Sequence, residues 1–159
     1  QPTNIRENSD AKHRRELREN LEDNDERCIS QKDDEILNPN DYDKEQAHHI
    51  IPLNYYGQGM GAVHEIMAAC NIDIDDADNG VCLDDKTHNQ TKTYSPRKND
   101  TYVQGIVEIF NNTINDDDGS VDCDKVKNNL DAIKNHLKSQ NSISQNGGTA
   151  NVSLNGLGL

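Results

Sequence analysis

Tryptophan is absent from this 159-residue chain, phenylalanine occurs once, and aromatic residues make up 4%. Hydrophobic residues reach only 31%, low for a globular composition, so a large apolar core is excluded. The apolar residues that exist concentrate between 47 and 137. That distribution predicts a helical, acidic N-terminal approach over 1–46, a compact core over 47–138, and a flexible Ser/Asn/Gly-rich tail over 139–159. No apolar run is long enough for a membrane span, and no segment reads as a signal peptide. The chain opens on Gln1 rather than Met, as expected either of a piece of a longer protein or of a numbering that omits earlier residues. No CxxC pair occurs either. Cys28, Cys70, Cys82 and Cys123 are widely spaced, which argues against a zinc knuckle and makes reduced, partly buried thiols the expected state.

Positive charge is also scarce: 16 Lys and Arg against 29 Asp and Glu, a net of -13. Gripping a phosphate backbone over a wide surface depends on Lys and Arg, so the balance counts against an extended nucleic-acid binder. It leaves room for a small basic patch. Residues 1–46 hold 14 acids and 8 bases, whereas 86–98 hold Lys86, Lys92, Arg97 and Lys98 with no acid. The acidic run Asp116-Asp117-Asp118-Gly119 suggests calcium, but with Gly119 as position six of an EF-hand loop, positions one and twelve are Ile114 and Lys125. The motif fails, and a solvated loop leading into the next helix is expected.

Periodicity places helices over 9–22 (Leu17 and Leu21 on one face), 62–70, 101–110 and 124–138. Short strands are expected at 47–52, ended by Pro52, and at 81–83, after the Asp78-Asn79-Gly80 turn signal. The fold class is therefore α+β, a small and mostly helical domain.

The chemistry concentrates at Ala47-His48-His49-Ile50-Ile51-Pro52. Successive strand residues point to opposite sides, so His48 and His49 divide their tasks: one can ligate a metal while the other faces a water. Hydrolysis of a phosphodiester needs such a base, together with positive charge on the phosphate. Asn79 at the turn and His88 just past the second strand stand at spacings that could complete the site. His13 and His136 fall on charged helix faces and His64 on a surface helix, where ordinary structural roles are expected. Tyr55, Tyr56 and Tyr94 are read as packing residues rather than base-stacking platforms.

The run Gln46 to Pro52, the run Asn71 to Leu83, the His that follows and Tyr102 on a helix together resemble the AHH branch of the HNH/endonuclease VII superfamily, with its ββα-metal (His-Me finger) motif. The segment Arg14-Arg15-Glu16-Leu17-Arg18-Glu19-Asn20 resembles what such domains carry upstream, so the likeness spans about 9–112. The resemblance implies His48 and His88 as metal ligands, His49 as general base and Asn79 as the residue that holds the base-bearing loop. The pattern's further His falls on Lys92 here, and Asn99 is the substitute ligand; Lys92, Arg97 and Lys98 would meet the substrate.

It also implies a divalent metal, with Mg or Zn expected before Mn or Ni, and a nucleic acid substrate, DNA before RNA. Many members of that branch are C-terminal domains of polymorphic bacterial toxins. The implied protein is thus a secreted or delivered endonuclease toxin that acts in the cytoplasm of a target cell, with a cognate immunity protein. The competing expectation is an acidic binding module, immunity-like or an adaptor, that docks a basic partner without catalysis.

Overall fold

The computed structural model describes residues 10–28, 45–53, 59–91 and 100–159. Strand β1 (Glu45–His49) pairs antiparallel with β2 (Gly80–Asp84), setting Ala47 opposite Cys82, His48 opposite Val81 and His49 opposite Gly80. Residues directly opposite one another share a face of the sheet. One face thus carries Ala47, Cys82 and His49, and the other carries Val81, Leu83 and His48.

Two short strands are marginal alone in water, and helices cover both faces. Helix α1 (Asp10–Asp23) places Leu17 and Leu21 against Ala47 and Cys28 in a small apolar cluster. Gly80 makes room for it: a Cβ there would come within 2.6 Å of Leu17 Cδ1. The other face meets helices α2 (Met60–Ala69), α4 (Asp100–Asn111) and α5 (Cys123–Gln145). Val126, Leu130, Ile133 and Leu137 of α5 join Val81, Leu83, Tyr102 and Phe110 in the main core. Between the strands and α4 lies the single-turn α3 (Asp85–Asn89), capped by Asp84, whose side chain accepts from Thr87 N at 2.7 Å. The α+β, mostly helical class expected from the periodicity is the one observed.

Three expectations need correction. The cysteines are not reduced thiols: Cys28 is bonded to Cys82 and Cys70 to Cys123. Pairs 54 and 53 residues apart in sequence meet because the chain leaving α1 crosses β2, and the end of α2 abuts the start of α5. The segment from 139, read as a flexible tail, instead extends α5 to Gln145 and then returns to bury Ala150, Val152 and Leu154. Gly105 of α4 allows this, since a Cβ there would stand 3.2 Å from Leu154 Cβ. The apolar run 47–52 is only half strand, because after His49 the chain bends and buries Ile50 and Ile51 completely.

Closing a loop of about 50 residues by a disulfide stabilises a fold by about 4 kcal/mol through the unfolded chain. Unreduced, denatured protein is expected to show no free thiol, and Cys70→Ser/Cys123→Ser to lower the urea midpoint sharply. Four titratable thiols would refute the pairing.

Candidate functional site

His49 ends β1 on the α1 face, and its Nε2 lies 2.8 Å from Asp75 Oδ1. The second oxygen of that carboxylate, Oδ2, lies 2.8 Å from Nδ1 of His13 on α1. All three side chains are buried. Asp75 sits in a tight acidic turn, where its N–H donates to Asp73 Oδ1 at 2.9 Å and Asp73 N–H to Asp76 Oδ2 at 2.8 Å. Asn20 of α1 donates to its backbone oxygen at 2.7 Å. Burial alone would raise the Asp75 carboxyl, but the hydrogen bonds from His49 and His13 outweigh it and hold Asp75 below the ordinary carboxylate value. Asp75 is therefore an acceptor on both oxygens. His49 donates Nε2–H to it, and in the neutral ring this bond places the lone pair on Nδ1.

His48 faces the other way. Tyr102 Oη donates to Ile50 O at 2.7 Å, so toward His48 Nε2, 3.2 Å away, the phenol oxygen accepts. Burial, then the neighbouring His88 and His49, hold His48 well below the usual histidine value, so the ring is uncharged at neutral pH. With Nε2–H given to Tyr102, its lone pair lies on Nδ1. The contact there is Thr91 Oγ1 at 3.4 Å, a hydroxyl whose proton goes to His88 O at 2.7 Å.

The His88 ring stands edge-on to His48 with centroids 5.2 Å apart. Two imidazoles sharing one cation at bond lengths of about 2 Å have ring centres about 5 Å apart. The separation of the His48 and His88 rings matches that spacing, with two imidazoles and no third His, Cys, Asp or Glu ligand gathered beside them among the described residues. A second set exists among the described residues: potential ligand atoms of His13, Glu16 and Asp75 lie within 4.8 Å of one another.

Asn79 is buried and joins three segments. Its Oδ1 accepts from Ile51 N at 2.8 Å, and its Nδ2 donates to Ile51 O at 3.2 Å and Ile74 O at 2.9 Å. It thereby locks the chain just after His49 to the turn bearing Asp75. Lys92, Arg97, Lys98 and Asn99, expected as substrate and metal contacts, lie outside the described residues, as do Tyr55, Tyr56 and Tyr94.

His13 overturns its expectation. It is not on a charged surface but 1% exposed, turned toward Asp75. His64 is likewise half-buried, donating from Nε2 to Pro52 O at 2.7 Å. Asp75 joins the site without having been singled out for it, and Tyr102, read only as part of the motif, supplies the phenol beside His48. One signal for Asp75 was its place in an otherwise unexplained acidic turn.

Beyond the geometry, a family model described as a nuclease family of the HNH/ENDO VII superfamily with conserved AHH matches residues 30–155. The chain belongs to that nuclease family. No curated protein and no solved structure matches it. The match in this AHH nuclease starts after α1 and runs through α5, so it extends further toward the C-terminus than the resemblance read from the motifs.

Asn79→Ala leaves Ile51 N and two buried carbonyls without partners, and a loss of about 2–3 kcal/mol by urea unfolding is expected. A loss under 1 kcal/mol would show that the clamp is dispensable. A second expectation concerns pH. Unfolded His48 titrates near about 6.5, and the folded ring titrates lower. Its contribution is therefore complete above about 6.5 and is lost as pH falls toward the folded value. His48→Gln should flatten part of the drop in urea midpoint between pH 7.5 and 5.5, and an unchanged slope would contradict the assignment.

Proposed function

We propose that this nuclease hydrolyses DNA with the help of a divalent cation held by His48 and His88, and that His49 is the general base. The observation that carries the reading is the unequal equipment of two consecutive β1 residues. His48 is uncharged and next to a second imidazole, whereas His49 is bonded to a carboxylate. When bound, the cation would offset charge on the scissile phosphate and help set its orientation.

The residues of the chain perform the remaining steps. His49 Nδ1 takes the proton of the attacking water, and the Asp75 carboxylate stabilises the imidazolium that forms and keeps Nε2 as the donor. Asn79 holds the end of β1, so that the base keeps its distance from the His48 side of the strand. Two imidazoles suit Zn²⁺ or Ni²⁺, while Mg²⁺ and Mn²⁺ would call for added oxygen ligands such as Asn99. Lys92, Arg97 and Lys98 are assigned to the DNA strand on their charge and their sequence position beside His88.

The two disulfides support a protein made for an oxidising compartment. That accords with secretion or delivery as part of a larger toxin, with the cytoplasm of a competing bacterial cell as the place of action and a cognate immunity protein protecting the producer.

Incubation of purified protein with plasmid DNA and with total RNA, under Mg²⁺, Mn²⁺, Zn²⁺, Ni²⁺ or EDTA, tests this directly. Metal-dependent DNA cleavage is expected, with His49→Ala losing at least about a hundredfold in rate while still binding metal by calorimetry. His48→Ala and His88→Ala should lose the metal. Inactivity of folded protein on both substrates with every metal would favour the acidic binding module.

A further inference from the structure

The described part of α1 precedes the family match, yet it supplies a buried imidazole to the carboxylate beside the base. We propose that His13 is a positioning residue of this nuclease: by occupying Asp75 Oδ2 it fixes the carboxylate so that Oδ1 holds His49 in the tautomer that leaves Nδ1 able to accept a proton. The inference rests on the reading of His49 as the base.

A carboxylate hung on one hydrogen bond can rotate about its terminal torsion, which is broad and poorly defined by staggering. Asp75 has no such freedom. His49 and His13 each sit 2.8 Å from a different oxygen, and Asn20, about two turns along the same helix from His13, takes the backbone oxygen. α1 therefore holds Asp75 by side chain and main chain at once.

The helix is itself held in place. Leu17 and Leu21 are fully buried, and the chain just after it is tied to β2 by Cys28–Cys82. Glu26, beyond its end, pairs with Lys134 of α5 at 2.6 Å. Nδ1–H of His13 is the donor to the carboxylate, and its Nε2 is buried with no hydrogen-bond partner among the described residues. A ring retained at 1% exposure with one nitrogen unsatisfied needs a reason, and its bond to Asp75 provides one.

His13 and Asp75, together with Glu16 of α1, have ligand atoms close enough for a cation. A cation there would compete for the Asp75 carboxylate that His13 now holds, so the two arrangements predict different behaviour from the free protein.

The test compares His13→Leu, which removes the donor, with His13→Asn, whose amide nitrogen falls where Nδ1 was, both in the full oxidised chain. Two measurements are made: steady-state DNA cleavage, and long-range ¹H–¹⁵N spectra of the histidine rings in metal-free protein. His13→Leu is expected to lower kcat by about tenfold or more with KM within about twofold, and to broaden or shift the His49 Nε2–H signal. His13→Asn should recover most of the rate and the wild-type signal.

Wild-type His49 signals in folded His13→Leu would overturn the proposal, as would equal impairment of the two variants at matched stability. A His49 Nε2–H signal in wild type that appears only after metal is added would overturn it too. If the wild type cuts nothing, the nuclease reading fails, and the ring spectra still decide whether His13 holds His49 through Asp75.

Discussion

Two five-residue strands make too little contact to persist by themselves, so the pairing of β1 with β2 exists only because both of its faces are covered. That requirement organises the molecule. α1 closes one face with two leucines, and α5 closes the other with a stripe of four aliphatic side chains. With hydrophobic residues at 31%, neither cover is thick, and each is reinforced by a covalent tie: Cys28–Cys82 on the α1 side, Cys70–Cys123 where α2 meets α5. The site then follows from strand alternation. Because the sheet has a helix on each side, His48 and His49 enter different surroundings although they are neighbours in sequence.

Under the proposed assignment of His48 to a cation and His49 to the proton, those surroundings make opposite demands. A metal-binding imidazole has to be neutral, and a buried site between Tyr102, Thr91 and His88 keeps His48 so by denying its charged form water. A base has to become charged during turnover, and a carboxylate within 2.8 Å makes that tolerable for His49. Desolvation on one face and a counter-charge on the other give one dipeptide two chemistries. The net charge of -13 is in keeping with the proposed reading, in which imidazoles and a cation stand in for a broad basic surface.

Much of this was legible in the chain. The helix stripes at Leu17/Leu21 and at Val126 to Leu137 are strongly periodic, and the turn signal at Asp78-Asn79-Gly80 marks the start of β2. His48 and His88 are brought together as their spacing suggested. What escaped depends on contacts distant in sequence. The reach of His13 to Asp75 crosses 62 residues, and the two disulfides cross 54 and 53, separations over which local pattern carries no information. His13 also looked like a residue on a charged helix face, because Lys12, Arg14 and Arg15 flank it; in a helix those neighbours point elsewhere. The C-terminal segment misled through composition: it is rich in Ser and Asn, but Val152 and Leu154 suffice to anchor it beside the gap left by Gly105.

A site that depends on alternation is exposed to a particular failure. Slipping β1 by one residue would send His49 to the neutral, buried face and His48 to the carboxylate, exchanging their chemistries. Ladder hydrogen bonds alone resist a slip poorly in so short a pair. Asn79 resists it better, since its main-chain oxygen accepts from Ile50 N and its side chain grips both the N–H and the C=O of Ile51. A slipped strand would have to break all three. Gly80 adds a steric condition, because the residue opposite His49 must leave room for Leu17, and Val81 in that place would collide with α1. The Asn-Gly pair that reads in sequence as an ordinary turn is thus what holds each histidine on its own side of the strand.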